Sequence, residues 1–240
     1  MISIITGTLN RKNFLPDLIE NTVDSNKKLE LVLVDGGSSD GTVEFLKEIS
    51  HPQIKLIELG KRSPYPHYMN IAIQNSSYEM VCQWNDDVLL SNDWNEVIDS
   101  IDDEYDFYLF NWRYGNKLDL KNPNWMSGNN HLHGWCLLNN IETPVDGNDE
   151  IVVNYGIYKK KIFRKIGMYS HDYQYYYADA DMANRSYRFG FKPKNLREIK
   201  VCSLYADKVA KHYPNDEQIY NKNRELYKIG VLPNSIEMLK

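Results

Sequence analysis

Two adjacent acidic residues, Asp86 and Asp87, directly follow a short apolar run at residues 80–84. The run is brief and flanked by polar residues, which predicts a buried strand, and Ser91-Asn92-Asp93 then predict the cap of a new helix. The two carboxylates are therefore expected at the carboxyl end of a strand, the edge of an open α/β sheet where ligands bind. Clustered oxygen ligands at that edge suit Mg²⁺ or Mn²⁺ carrying a substrate diphosphate. Taken alone, the pair leaves open the alternative of a loop of solvated acids.

The elements that must position this pair alternate along the first half of the chain. Apolar runs at residues 2–5, 29–34, 54–59 and 80–84 predict four strands. Between them, apolar residues recur at helical spacing and predict helices. Such alternation predicts an α/β fold, a mostly parallel sheet flanked by helices.

The second half of the chain is less regular. Residues 113–147 are rich in Asn, Gly and Pro and predict an irregular region. A polar helix is predicted to open at Pro214. The sequence therefore predicts one domain over residues 1–212 and a helical extension over residues 213–240.

Composition limits the possible partners and compartments. The 28 basic and 33 acidic residues leave a net charge of −5, which argues against general affinity for nucleic acid. Cys82, Cys136 and Cys202 lack the spacing of a disulfide framework or a zinc site and favour a reducing compartment, so we expect a cytoplasmic protein. We expect neither a leader peptide nor a transmembrane segment, since no charged leader and no apolar run of bilayer-spanning length is evident. The basic run at residues 159–165 predicts a solvated helix face, with peripheral membrane contact as the alternative.

Several stretches, in chain order, resemble the family 2 glycosyltransferases of the GT-A fold. Residues 4–11 are similar to the family's opening strand and loop, and residues 33–42 resemble its V-D-D-G-S-x-D-G-T motif, the most specific of the matches. Residues 68–73 are similar to the segment before the metal strand, and residues 84–87 correspond to the D-x-D-type motif. Residues 178–185 resemble E-D-x-D-L-x-x-R. The resemblance implies a GT-A fold, Rossmann-like, with an irregular acceptor side.

By this resemblance the chain transfers a sugar from a nucleoside-diphosphate sugar, with UDP the expected nucleotide, to a hydroxyl of a saccharide or glycan acceptor. Residues 1–112 would form the nucleotide-sugar-binding half and residues 113–212 the acceptor-side half. The residues assigned to the nucleotide sugar are Thr8, Asp35, Arg62, Asn70 and Asp86. Asp87 would bind the divalent metal, Mn²⁺ or Mg²⁺, and His212 would add a further ligand, although a surface histidine is equally consistent with the sequence.

The chemistry of this transfer requires a base. Negative charge grows on the departing diphosphate, where a divalent ion stabilises it, and the incoming hydroxyl must lose its proton. Asp179 is the candidate base, and a base acting opposite the leaving group implies inversion at the anomeric carbon. Asp179 and Asp181 precede a predicted helix, which either could cap. We interpret Asp179 as the base and Asp181 as the cap.

Two other functions compete with this interpretation. A nucleotidyltransferase would normally carry a Gly-rich, Arg-containing loop after the first strand, and residues 6–11 do not form one. A carbohydrate- or nucleotide-binding protein without turnover is suggested by departures from the family patterns at Gly36, Asn85 and Ala178. The absence of a Q-x-x-R-W stretch and of an apolar span disfavours a processive polysaccharide synthase, so we expect a non-processive enzyme.

Overall fold

The computed structural model describes residues 1–114, 132–133, 155–203 and 213–240. Within these residues nine strands form a single sheet. In chain order the strands are β1 (Ile2–Thr8), β2 (Leu29–Asp35), β3 (Ile54–Glu58), β4 (Met80–Gln83), β5 (Val88–Leu90), β6 (Phe107–Tyr114), β7 (Leu132–His133), β8 (Gly156–Lys159) and β9 (Pro193–Ser203). The described helices are α1 (Leu15–Asn21), α2 (Thr42–Ile49), α3 (Tyr65–Asn75), α4 (Trp94–Asp99), α5 (Lys160–Ile166), α6 (Ala178–Arg188) and α7 (Pro214–Lys228).

The sheet order is β3-β2-β1-β4-β8-β6-β9-β5, with β7 paired to β6. The pairs β3–β2, β2–β1 and β1–β4 are parallel, as is β6–β9. Every antiparallel pair among the described strands includes β5, β7 or β8: β8 pairs with β4 and β6, β5 pairs with β9, and β7 pairs with β6. The predicted α/β fold is confirmed, and the parallel half is the one that the alternating apolar runs predict.

The sheet is covered on both faces. Side chains alternate along β1, so Ile2 and Ile4 pack with α1 and α4, whereas Ile5 packs with α3 and α6. Every residue of β2 is buried, as expected for a parallel strand between two helical layers. The carboxyl ends of these strands are thereby held in a fixed frame.

The last long helix, α7, is joined to α6 through a buried carboxylate. Asp181 is fully buried, and its Oδ1 accepts hydrogen bonds from the hydroxyls of Tyr173 (2.8 Å) and Tyr227 (2.7 Å). Asn223 Nδ2 lies 3.4 Å from the same oxygen. Helix α6 already begins at Ala178 and has no side-chain cap, so the prediction that Asp181 caps it was wrong. The helix that the sequence set apart as an extension therefore packs into the core.

Replacing this carboxylate should destabilise the fold. Asp181→Ala leaves the buried hydroxyls of Tyr173 and Tyr227 without their acceptor, while Asn223 Nδ2 keeps only the Tyr173 hydroxyl, so the free energy of unfolding should fall by about 3 kcal/mol. For a chain of this size, that corresponds to a fall in Tm of roughly 6–12 °C in a thermal melt. Asp103→Ala is the control, because Asp103 is fully exposed and should change Tm little. Equal melting of the two variants would contradict the role given to Asp181.

The basic run at residues 159–165 is largely paired within the protein. Lys160 is buried and donates to the carbonyl of residue 76 at 2.6 Å, and Lys161 forms an ion pair with Asp106. Arg164 makes two hydrogen bonds, 2.7 and 2.8 Å, to the carboxylate of Glu79. These pairings use charges that membrane contact would need. No helix in the described residues combines the length and apolar character needed to cross a bilayer.

Candidate active site

A cavity of about 620 Å³ lies at the carboxyl ends of β1, β2 and β4. Residues 6–8 of β1 and Leu9 just after it line the cavity, as do Gly36 from the loop after β2 and residues 85–87 from the turn after β4. Residues 175–177 and Asp179 line it from the segment that leads into α6. The acids at the end of β4 and the candidate base therefore share one cavity.

The turn that carries the two acids is fixed by the core beneath it. Trp84 is fully buried, and its indole Nε1 donates a 2.9 Å hydrogen bond to the carbonyl of Val88, which closes the turn. The backbone N–H of Trp84 donates to the carbonyl of Ile5 on β1 at 3.1 Å. Asp86 and Asp87 thus lie at the strand end where the sequence predicts them, held from both sides.

Burial disfavours the charged form of both carboxyl groups in the acid pair. Burial, together with the neighbouring Asp87, raises the pKa of Asp86 to about 7, while Arg11 and Thr8 oppose the rise. Burial also raises the pKa of Asp87, again opposed by Arg11. The guanidinium of Arg11 lies 3.4 Å from Asp86 Oδ1 and 4.0 Å from Asp87 Oδ2. The site therefore favours additional positive charge beside the two carboxylates.

The donor set fits a divalent cation that is also bound by its substrate. Mg²⁺ is usually held by one or two carboxylates together with waters and substrate phosphates. Asp86 and Asp87 supply two such carboxylates, and no cluster of three metal-ligating side chains occurs among the described residues. His212, the predicted additional ligand, lies outside the described residues.

Asp179 lies in the first turn of α6 and faces the same cavity. Burial raises the pKa of this carboxyl to about 6, opposed by the backbone N–H groups of Ala180 and of Asp179 itself. No basic side chain of the described residues pairs with it. Asp179 is thus ionised near neutral pH and has a raised proton affinity.

Among the other predicted nucleotide ligands, Thr8 and Arg62 line the cavity, whereas Asp35 does not. Asp35 is buried, and its Oδ1 accepts the N–H groups of Gly37 (2.8 Å) and Ser38 (3.0 Å), while Oδ2 accepts the Ser38 hydroxyl. The carboxylate therefore shapes the loop after β2, and the backbone of that loop reaches the cavity.

Asn70 also lies outside the cavity lining. Its side chain bridges α3 to Tyr169: Nδ2 donates to the Tyr169 carbonyl at 2.9 Å, and Oδ1 accepts the Tyr169 N–H at 2.9 Å. Asn70 is therefore a packed polar residue that joins two segments of the fold. It connects the first half of the chain to the segment that leads toward Asp179.

A wall of tyrosines, which we call the tyrosine wall, completes the cavity and comprises Tyr175, Tyr176 and Tyr213. The rings of Tyr175 and Tyr213 stack with centroids 5.9 Å apart and planes inclined by 17°, and Tyr176 lies 5.5 Å from Tyr213. The guanidinium of Arg62 lies 6.0 Å from the Tyr175 centroid. The tyrosine-rich run at residues 173–177 signals part of this wall, but Tyr213 joins it only because α7 docks there.

Tyr68 is another lining residue that the sequence analysis did not identify. Its ring occupies the space beside Gly7, where an added Cβ would lie 2.5 Å from the nearest ring carbon. Gly7 lies in the stretch that resembles the family's opening strand and loop, commonly written I-P-T-Y-N-R, and stands where that pattern has proline. That departure is the sequence signal, because only a residue without a side chain leaves room for the ring.

Comparison with known proteins identifies the class to which this fold and site belong. Two glycosyltransferase structures share the GT-A fold with the chain. The mannosyltransferase PcManGT from Pyrobaculum calidifontis, in complex with GDP-Man and Mn²⁺, is 16% identical with a TM-score of 0.59; the match covers 97% of this chain and 65% of that one. TarS 1–349 from S. aureus, in complex with UDP-GlcNAc, is 15% identical with a TM-score of 0.64; the match covers 88% of this chain and 61% of that one.

The chain belongs to glycosyl transferase family 2, whose sequence profile matches residues 3–167. It spans less than two thirds of either structural relative. No curated protein matches it significantly in sequence. The matched residues include the acid pair of β4 and end before Asp179 and α7.

Proposed function

We propose that the chain is a glycosyltransferase that moves a sugar from a nucleoside-diphosphate sugar, UDP-linked by our expectation, to a hydroxyl of a saccharide or glycan. The observation that carries the proposal is the single cavity in a family 2 chain that gathers Asp86, Asp87 and Asp179. Relatives solved with GDP-Man and UDP-GlcNAc support a donor of this chemical class. Transfer is proposed to be non-processive.

The donor would lie along the strand ends. Thr8 and Arg62 line the cavity; Thr8 would contact the nucleotide base and Arg62 the diphosphate, with Asp35 acting through the loop that it shapes. Arg11 and Arg62 bring positive charge to the same cavity. Positive side chains placed where charge develops on the leaving diphosphate stabilise the transition state more than the ground state.

Asp86 and Asp87 would hold the divalent cation, Mn²⁺ or Mg²⁺, and we retain His212 as a proposed further ligand. When bound, such an ion offsets the negative charge that grows on the departing diphosphate. The complex of PcManGT with Mn²⁺ supports use of this metal class. The buried acid pair, only partly balanced by Arg11, supports a cation at this place in the chain.

Asp179 would accept the proton of the attacking hydroxyl. A general base works best with a pKa near the working pH, and burial raises the pKa of Asp179 to about 6. The same displacement, with the base on the face opposite the leaving group, would invert the anomeric configuration.

The acceptor sugar would lie against the tyrosine wall. Tyrosine rings offer an apolar face and a polar hydroxyl, which suits a saccharide with apolar C–H faces and polar edges. Tyr175 is exposed and lines the same cavity as Asp179, so a sugar stacked on it would be close to the base.

The alternative function is a carbohydrate- or nucleotide-binding protein without turnover, and the contact made by Asn85 bears on it. Asn85, at the variant position of the D-x-D-type motif, donates from Nδ2 to the Tyr155 hydroxyl at 3.2 Å. This neutral residue replaces an acid next to the metal-binding pair, which would weaken the charge available to an ion. Turnover measurements separate the two functions.

A panel of UDP- and GDP-linked sugars, with and without Mn²⁺, tests the proposal. A donor present at about 100 times its Kd stabilises the folded chain by about 2.7 kcal/mol, which raises Tm by roughly 5–11 °C. We expect one or a few donors to do so only with Mn²⁺, and to release nucleoside diphosphate when mixed with acceptor saccharides; the free sugars serve as controls. Failure of every donor to shift Tm would contradict the proposal. A shift with no release would favour the binding protein.

A further inference from the structure

The loop that carries the tyrosine wall is held by a buried acid from outside the family match. Asp216, in the first turn of α7, is fully buried. Its carboxylate accepts three consecutive backbone N–H groups, from Gln174 (3.0 Å), Tyr175 (2.8 Å) and Tyr176 (2.9 Å). Charge-assisted hydrogen bonds of this kind are strong, and they balance the burial of the carboxylate. Asp216 therefore fixes the backbone of residues 174–176.

The next residue adopts an unusual conformation. Tyr177 has a φ of 63°, in the left-handed region that bulky residues rarely adopt and that surrounding structure must enforce. Its ring stacks on Tyr220 of α7, with centroids 5.3 Å apart and planes inclined by 25°. Helix α6 starts immediately afterwards, so this turn sets the direction from which Asp179 enters the cavity.

We propose that Asp216 is a positioning residue for Asp179 and the tyrosine wall, and that α7 is part of the catalytic architecture. The inference rests on the proposed function, in which Asp179 is the base. Asp216 binds the backbone of residues 174–176, and Tyr220 stacks on Tyr177. Asp179 follows two residues after Tyr177. A misplacement of a reacting group by 1 Å can lower a rate by about 100-fold. Loosening this loop should therefore lower turnover more than donor affinity.

Asp216→Asn tests the proposal, because an amide of similar size has one accepting oxygen and presents an N–H₂ donor to the loop. The matched control is Glu30→Gln, which makes the same exchange at another buried carboxylate. Glu30 accepts from the Ser3 hydroxyl (2.6 Å) and the Ser77 N–H at the amino ends of the strands, away from the cavity. Both variants should lower Tm, but only Asp216→Asn should disturb the loop.

Two measurements are needed for each variant. Amide hydrogen exchange at residues 174–176 should accelerate in Asp216→Asn and stay unchanged in Glu30→Gln. Release of nucleoside diphosphate from UDP-GlcNAc or GDP-mannose with Mn²⁺, whichever is turned over, should show a kcat lowered about 10–100-fold in Asp216→Asn. The donor KM should change by less than about 3-fold, since an interaction lost only in the transition state lowers kcat.

Unchanged exchange or unchanged kcat in Asp216→Asn would overturn the positioning role, as would an equal loss of kcat in Glu30→Gln. If Asp216→Asn does not fold, Asp216→Glu keeps the negative charge and shifts the carboxylate by one methylene group; unchanged exchange at residues 174–176 or normal turnover in that variant would overturn the role. A wild-type chain that binds donor and never turns it over would refute the proposed function together with the positioning role. An active wild type with an unaffected Asp216→Asn variant would refute the positioning role alone.

Discussion

Asp179→Asn is expected to lower turnover by about 10³-fold while nucleotide-sugar binding stays within about 2-fold of wild type, because a general base typically contributes about 10²–10⁴-fold. The amide keeps the shape of the side chain and loses the ability to take a proton. The measurements are steady-state release of nucleoside diphosphate and the donor-induced change in Tm with Mn²⁺. Asp99→Asn, at an exposed acid of α4, is the control. Turnover near that of wild type would exclude Asp179 as the base.

The same variant should also change the pH dependence of both activity and stability. Since burial raises the pKa of Asp179 to about 6, wild-type turnover should fall about tenfold per pH unit below that value as the base becomes protonated. Its raised pKa means that the folded chain binds the proton more tightly than the unfolded chain, so this carboxyl favours folding below about pH 4 and loses that contribution as the pH rises through 6. Asp179→Asn should therefore be more stable than wild type at pH 7, by about 1 kcal/mol after allowance for partial exposure. A lower Tm at pH 7 would contradict this account of the carboxyl.

Asp87→Ala is expected to abolish the Mn²⁺-dependent part of donor stabilisation and to lower turnover by at least about 10²-fold, the typical loss when one stabilising contact to developing charge is removed. The reason is that Asp87 supplies one of the two cavity carboxylates proposed to hold the ion. The experiment compares donor-induced Tm shifts with and without Mn²⁺ in the variant, wild type and Asp99→Ala. A Mn²⁺-dependent shift as large as that of wild type would show that the ion binds elsewhere.

The features predictable from the sequence are those set by local pattern. The alternating apolar runs predict the parallel half of the sheet. The position of the acids after β4 is also predictable, because the end of an apolar run can be recognised from the sequence. Asp35 and Asn70 carry side chains suited to a ligand, yet their hydrogen bonds go to the backbone of Gly37 and Ser38 and of Tyr169. Residue type does not reveal which partner a polar group takes, because that depends on the backbone that comes to lie beside it.

The contribution of α7 was beyond sequence reasoning for a different reason. Asp216 follows Pro214 at the start of a polar helix and has the pattern of an ordinary acid in a first turn. Its partners at residues 174–176 lie 40 to 42 positions earlier in the chain. Asp181 was misassigned as a cap because α6 begins earlier than its apolar periodicity indicates. Residues 115–131, 134–154 and 204–212, which include His212, lie outside the described structure.

Trp84 joins the turn of the acid pair to the interior of the protein. Its ring packs among Trp94, Phe110 and Tyr155, with centroids 5.6–5.8 Å away. Efforts to redesign acceptor preference should therefore leave this aromatic support intact and vary exposed positions of the cavity rim. Tyr175 is exposed at this rim, so new acceptor selectivity can be sought in libraries that vary it and keep the acid turn constant.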